Sequence, residues 1–165
     1  MLKTILICAG LLVIQPIASN IELGALQADA TFSGKAMTCF NTTARPVGGV
    51  GASFFKVSSA RSLVAHLDSM NNFSGFGHGD DETASAQFDT MQVALRRLIW
   101  ITPWLGSRTS ATDGTFSMTI SPIDSLLVVG YADMEDEPYV YDYKIMPGLA
   151  STSFILDMSR GQCGF

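Results

Sequence analysis

The alternation of apolar and polar positions divides the chain into three stretches. Between Thr31 and Phe40, the residues Phe32, Gly34, Ala36, Thr38 and Phe40 alternate with a more polar set. That is the two-residue period of a strand with one buried face. Asn41 to Pro46 reads as a turn. Val47 to Val57 places three glycines ahead of Ala52, Phe54 and Phe55, which predicts a second strand entered through a bulge.

In the middle the period lengthens. Leu63, Leu67 and Met70 stand at i, i+4 and i+7, one stripe of a helix over Ser59 to Met70. Asn71 to Asp81 holds three glycines and two asparagines and cannot continue it. Asp81 can cap a second helix, with Glu82 facing the positive end of its dipole. Phe88, Met91, Leu95, Leu98 and Ile99 form the stripe of that helix, and Pro103 ends it. A helical hairpin is therefore predicted over about 58–104.

Strand periodicity then resumes. Ala111-Thr112-Asp113-Gly114 is a tight turn, after which Phe116, Met118 and Ile120 alternate with Thr115, Ser117 and Thr119. Leu126 to Tyr131 is apolar on both faces and is expected at the centre of a sheet. Asp133 to Pro138 is an acidic loop, Tyr139, Tyr141, Tyr143 and Ile145 alternate with Val140, Asp142 and Lys144, and Ser153 to Met158 closes the set. The expected fold is mainly β: an antiparallel sandwich of about seven strands over 31–165, interrupted by the helical hairpin.

The first nineteen residues add a destination. Lys3 precedes an apolar run from Ile5 to Ile14, Pro16 breaks it, and Ile17-Ala18-Ser19 offers a small residue for cleavage, as in a secretory signal. The rival reading, an uncleaved anchor, needs about 20 apolar residues. Export places the chain outside the cell or in the periplasm or envelope, with 20–30 as a loose leader. Removing residues 1–19 leaves 146 of the 165 residues and 15 acids against 9 bases. A chain so acidic, without a Lys/Arg cluster, is a poor nucleic-acid binder. Its 47% hydrophobic content and 15% charge exclude disorder and coiled coils.

Cleavage removes Cys8 and leaves Cys39 and Cys163. In an oxidising compartment such a pair is the expected form of a disulfide, the alternative being two unpaired thiols.

The strand sequences resemble the carboxypeptidase regulatory-like domains, transthyretin-like (prealbumin-like) β-sandwiches. Phe32-Ser33-Gly34-Lys35-Ala36, a turn, then Pro46-Val47-Gly48-Gly49-Val50-Gly51-Ala52-Ser53-Phe54 is similar to their opening. Asp113-Gly114-Thr115-Phe116 is similar to their Asp-Gly-x-Phe turn, and Ser121 to Leu126 resembles their turn into a central strand. The resemblance covers about 80 of the mature residues. It departs from the pattern at Ser110-Ala111, where the family usually has Thr-Asp, at Asp124-Ser125-Leu126, where a glycine is common, and in its longer helical hairpin. It implies a structural or recognition module rather than a catalyst.

Candidate chemistry is sparse. His66 lies in the first predicted helix and reads as a partly exposed surface residue. His78 stands in a glycine-rich loop beside Asp80, Asp81 and Glu82, where a transition metal is conceivable but a solvated loop is the simpler reading. Asp133, Glu135, Asp136 and Glu137 lack the spacing of a calcium loop. No Gly-x-Ser-x-Gly elbow and no phosphate-cradling glycine loop is present. A purine-pathway hydrolase shares the transthyretin-like fold but ends in Tyr-Arg-Gly-Ser, whereas this chain ends Gly161-Gln162-Cys163-Gly164-Phe165. No catalytic residue, metal or cofactor is expected. Asn41-Thr42-Thr43 and Asn72-Phe73-Ser74 match the glycosylation pattern.

Two surfaces remain. Tyr131, Tyr139, Tyr141 and Tyr143 could face a sugar or peptide ligand, or form the inner face of the sandwich with their hydroxyls at its rim. The second helix is apolar around much of its circumference, so a part left uncovered by the sandwich marks an interaction site. A membrane surface is disfavoured, because a helix lying on one wants a basic polar face. The expected function is a non-enzymatic exported recognition or structural module with a protein or glycan partner. The alternatives are a carbohydrate- or small-ligand-binding protein and, last, a hydrolase.

Overall fold

A computed structural model describes residues 28–40, 43–73, 81–134 and 137–159. The predicted signal 1–19, the leader up to residue 27, Asn41, His78 and Cys163 lie outside the described residues.

Eight strands and two helices follow one another among the described residues: β1 (Ala30–Phe40), β2 (Thr43–Pro46), β3 (Gly51–Lys56), α1 (Arg61–Asn71), α2 (Asp81–Ile101), β4 (Gly106–Thr109), β5 (Thr115–Ile120), β6 (Ser125–Met134), β7 (Glu137–Pro147) and β8 (Thr152–Asp157). The strands form two four-stranded sheets. In the first sheet β1 is central: β8 lies along one side, and β5 and β2 share the other in succession. The second sheet has the order β4-β3-β6-β7.

The expected β-sandwich with a helical interruption is the observed architecture. Two short strands escaped the sequence reading. Thr43–Pro46 folds back on the end of β1, with Met37 opposite Pro46, where a turn alone was expected. Gly106–Thr109 pairs with β3 at the sheet edge. Both are four residues long and mostly exposed, so neither writes an apolar period. One pairing is parallel: β8 runs alongside β1, with Phe32 opposite Thr152 and Met37 opposite Asp157.

The interior between the sheets is filled by Phe32, Ala36, Phe116, Met118 and Leu156 from the first sheet and Ala52, Phe54, Leu126, Val128 and Met146 from the second. The outer face of the second sheet carries Phe55, Leu127 and Val129, and the helices cover it with Leu63, Leu67 and Leu95. This explains the uniform apolar run of β6. Leu126 to Val129 are buried on alternating sides, one side facing the sandwich and the other facing the helices. The molecule thus has three layers, with the second sheet in the middle.

Local chemistry sets the corners. Gly114 has a φ of 78°, and a Cβ there would stand 2.5 Å from the Ala36 carbonyl. Asp113 completes the turn by accepting the Thr115 N–H at 3.0 Å and its hydroxyl at 2.7 Å. Those hydrogen bonds hold the Asp113 carboxyl below its ordinary pKa. Behind this turn Ser110 is buried. Its hydroxyl donates to the Val47 carbonyl at 2.9 Å and accepts the Val50 N–H at 2.9 Å. One serine side chain therefore pins the glycine-rich entry to β3.

Candidate contact surface on the helical layer

Among the described residues, polar contacts tie the helices to each other and to the middle sheet. His66 of α1 is partly buried, and its Nε2 lies 2.9 Å from the Met91 carbonyl of α2. His66, partly exposed, also ties the two helices together. Tyr143 of β7 donates its hydroxyl to Asp68 of α1 at 2.5 Å. Burial, helped by the nearby Asp68 and Asp142 carboxylates, pushes the Tyr143 phenol up to about 12.

Tyr131 and Tyr143 both pack on the helix-side cluster rather than on the inner face of the sandwich, one of the two placements the alternation leaves open. The cause is the second apolar face of the middle sheet, which accommodates rings equally well. Tyr131 lies across Gly51, and the Ser53 hydroxyl donates to it over a long 3.4 Å. Tyr139 and Tyr141 are on β7, and their side chains are outside the described residues. Of the acidic loop, residues 135–136 are outside them as well. Among the described residues no three His, Cys, Asp or Glu side chains gather where a metal could sit. Asn72 is occupied locally, donating its Nδ2–H to the Asp68 carbonyl at 2.8 Å.

At the junction of the two sheets, Asp142 of β7 accepts the Asp157 backbone N–H of β8 at 2.8 Å and pairs with Lys144 at 2.9 Å. Cys39 stands near the end of β1 and is not a free thiol. The outer face of the first sheet bears an open depression of about 660 Å³, lined by Ser33, Lys35, Thr115, Ser117, Ser153 and Ile155 among others. It offers hydroxyls and one ammonium group, with no acid or imidazole.

The conspicuous surface is the end of α2. Leu95 is fully buried, and Leu98 and Ile99 pack on the helix-side cluster as the predicted stripe requires. The outward side of the last turns and the segment after them are open to solvent. Trp100 is 79% exposed, Ile101 70%, Trp104 59% and Leu105 41%. Thr102 closes the final turn, its hydroxyl donating to the Leu98 carbonyl at 2.6 Å, and Pro103 stops the helix. The Leu105 N–H then donates to the Phe54 carbonyl at 2.7 Å, which fixes the segment against β3. The exposed side chains therefore stand on a braced frame. Trp100 and Trp104 are the chain's only tryptophans. Burying a large apolar side chain stabilises by about 1.5–3 kcal/mol, so four left open at one spot form a patch available to a partner. Trp100 lies about 140° around the helix from Leu95 and so faces away from the sheet.

Neither a protein-family model nor a curated protein matches the sequence. Among solved structures the chain is distantly similar to the shaft pilin SpaA from Lactobacillus rhamnosus GG, with a TM-score of 0.37, 10% identity, and coverage of 79% of this chain and 49% of that one. A double-mutant form of the same pilin gives a TM-score of 0.38, 12% identity, and coverage of 81% and 51%. The pilus backbone protein RrgB from Streptococcus pneumoniae gives 0.28, 10%, and 77% and 41%. The chain spans about half the length of the pilins it matches. Scores this low mark a distant likeness in β-sandwich architecture and assign nothing further to this chain.

Proposed function

We propose that this chain is an exported, non-enzymatic β-sandwich module that works by surface contact, and that the contact surface is the aromatic end of α2. The observation that carries this reading is the exposure of both tryptophans within five positions, on a frame braced by Thr102 and Leu105. Interfaces concentrate their energy in such residues. The carboxypeptidase regulatory-like reading is supported by Gly34 and Phe116 meeting in the core and by the positive φ of Gly114.

A disulfide between Cys39 and Cys163 belongs to the same reading. Met37 lies opposite Asp157 in the parallel β1–β8 pair, so the chain leaving β8 heads toward the end of β1 that carries Cys39. Met158 extends this by donating its N–H to the Met37 carbonyl at 2.7 Å.

The test is sedimentation of the exported chain with the envelope fraction of its own host. The wild type is expected to sediment, and the Trp100→Ala/Trp104→Ala variant to stay in solution with an unchanged melting temperature. Equal sedimentation of the two would overturn the assignment of the surface. A second reading, a carbohydrate- or small-ligand-binding protein, draws on the hydroxyl-lined depression around Ser33 and Ser117. A glycan-array signal abolished by Ser117→Trp would favour it.

A further inference from the structure

We infer that the partner of the aromatic end of α2 is an anionic lipid surface, an inference that rests on the contact surface proposed above. The sequence objection to a membrane concerned the helix as a whole, whose first turns carry Asp81, Glu82 and Asp89. The structure confines the question to its last turns.

There the charge reverses. From Thr90 to Thr112 the chain holds no acid and three arginines, Arg96, Arg97 and Arg108, although acids outnumber bases 15 to 10 overall. Arg96 and Arg97 precede Trp100 by four and three positions, the spacing that places side chains on one helix face. The exposed Arg97 stands one turn before Trp100, which is 79% exposed, and Trp104, 59% exposed, follows the end of the helix. The combination of indole rings, an isoleucine and the exposed Arg97 guanidinium is that of the membrane–water interface. Tryptophan settles there at headgroup level, while basic side chains meet lipid phosphates.

The shape agrees. Protein hot spots sit inside a packed patch ringed by near-neutral contacts. Here the rings project from a helix end and the turn after it, with Ile101 70% exposed between them. A projecting apolar tip can enter a headgroup layer without a complementary pocket. The fold also presents the tip rigidly, because Leu105 is bonded to Phe54 and Leu95 is buried beneath the preceding turn. Little ordering entropy then remains to be lost on contact.

The chain reports on itself, since its only two tryptophans are at the tip. Protein-free vesicles of phosphatidylcholine with phosphatidylglycerol are expected to co-sediment the exported chain and shift its tryptophan emission to the blue. Vesicles of phosphatidylcholine alone are expected to do so weakly. Arg97→Ala should lower partitioning about five-fold, and Trp100→Ala/Trp104→Ala should lower it more than about ten-fold. Raising the salt concentration should weaken it. Trp104→Phe, which keeps an apolar ring, should retain most of the binding and checks that loss in the alanine variant is not misfolding.

No blue shift and no co-sedimentation with anionic vesicles would overturn the inference. So would an emission already blue without lipid, together with a concentration-dependent sedimentation coefficient, since the tip would then be buried in a second copy. Binding to the host envelope that disappears after protease treatment of that envelope would also overturn it, while leaving the contact surface itself standing.

Discussion

The ring of Phe116 occupies the space that a side chain at position 34 would fill. The two residues face each other in the β1–β5 register, and a Cβ on Gly34 would collide with the ring. Phe54 and Phe154 hold that ring from either side, with centroids 6.4 Å and 5.7 Å away, each in an edge-to-face arrangement. Phe54 comes from the second sheet and Phe154 from β8, so one glycine lets three strands besides its own meet around an aromatic cluster.

Gly34→Ala should therefore destabilise the chain by about 1–3 kcal/mol, the range for overpacking a filled core. Urea denaturation monitored by circular dichroism measures it. Adding Phe116→Leu should recover part of the loss, because the smaller side chain vacates the collision.

Ser110 makes a second sharp case. Ser110→Ala removes the acceptor of the Val50 N–H and the donor to the Val47 carbonyl, both at a buried site. The expected cost is about 1–3 kcal/mol. Ser110→Thr keeps the hydroxyl and should cost less in the same denaturation series.

The phenol of Tyr143 gives the chain an alkaline limit. Its folded pKa is raised from 10.0 to about 12, so the folded state keeps a proton that the unfolded state has lost. The associated stabilisation is complete below pH 10 and is lost as the pH rises from about 10 towards 12. With the ring partly open to water the effect should be of order 1 kcal/mol. Tyr143→Phe removes this titration and the hydrogen bond to Asp68. It should be less stable near neutrality by about 1 kcal/mol, with a flatter decline across that window in thermal melts.

These cases show which parts of the fold the sequence carries openly. The turn at Asp113-Gly114, the stripe through Leu63 and Leu67, and the doubly apolar β6 are local patterns, readable because neighbours in sequence share one environment. The parallel pairing of β1 with β8 joins residues 120 apart (Phe32 to Thr152), and no local period encodes it. The face taken by Tyr143 is open in the sequence for the same reason: alternation reports that a strand has two sides, not which side meets the helices. The contact surface was legible as an excess of apolar positions on α2. The exposure of Trp100 and the burial of Leu95 follow from helix geometry, since five positions turn the side chain about 140° away from the sheet.

The proposed Cys39–Cys163 disulfide gives a covalent prediction. Peptide mapping without reduction should recover Cys39 linked to Cys163. Reduction should then destabilise the chain by up to about 4–5 kcal/mol, the chain-entropy value for closing so long a loop. Recovery of both cysteines as separate alkylated peptides from the non-reduced protein would remove the pairing from the account.

The most direct measurement is acrylamide quenching of tryptophan fluorescence, with and without the host envelope fraction. Both indoles should quench freely in the isolated chain and become protected once the envelope is added. Emission shielded in the isolated chain, or equally quenchable in the two conditions, would contradict a contact surface at Trp100 and Trp104.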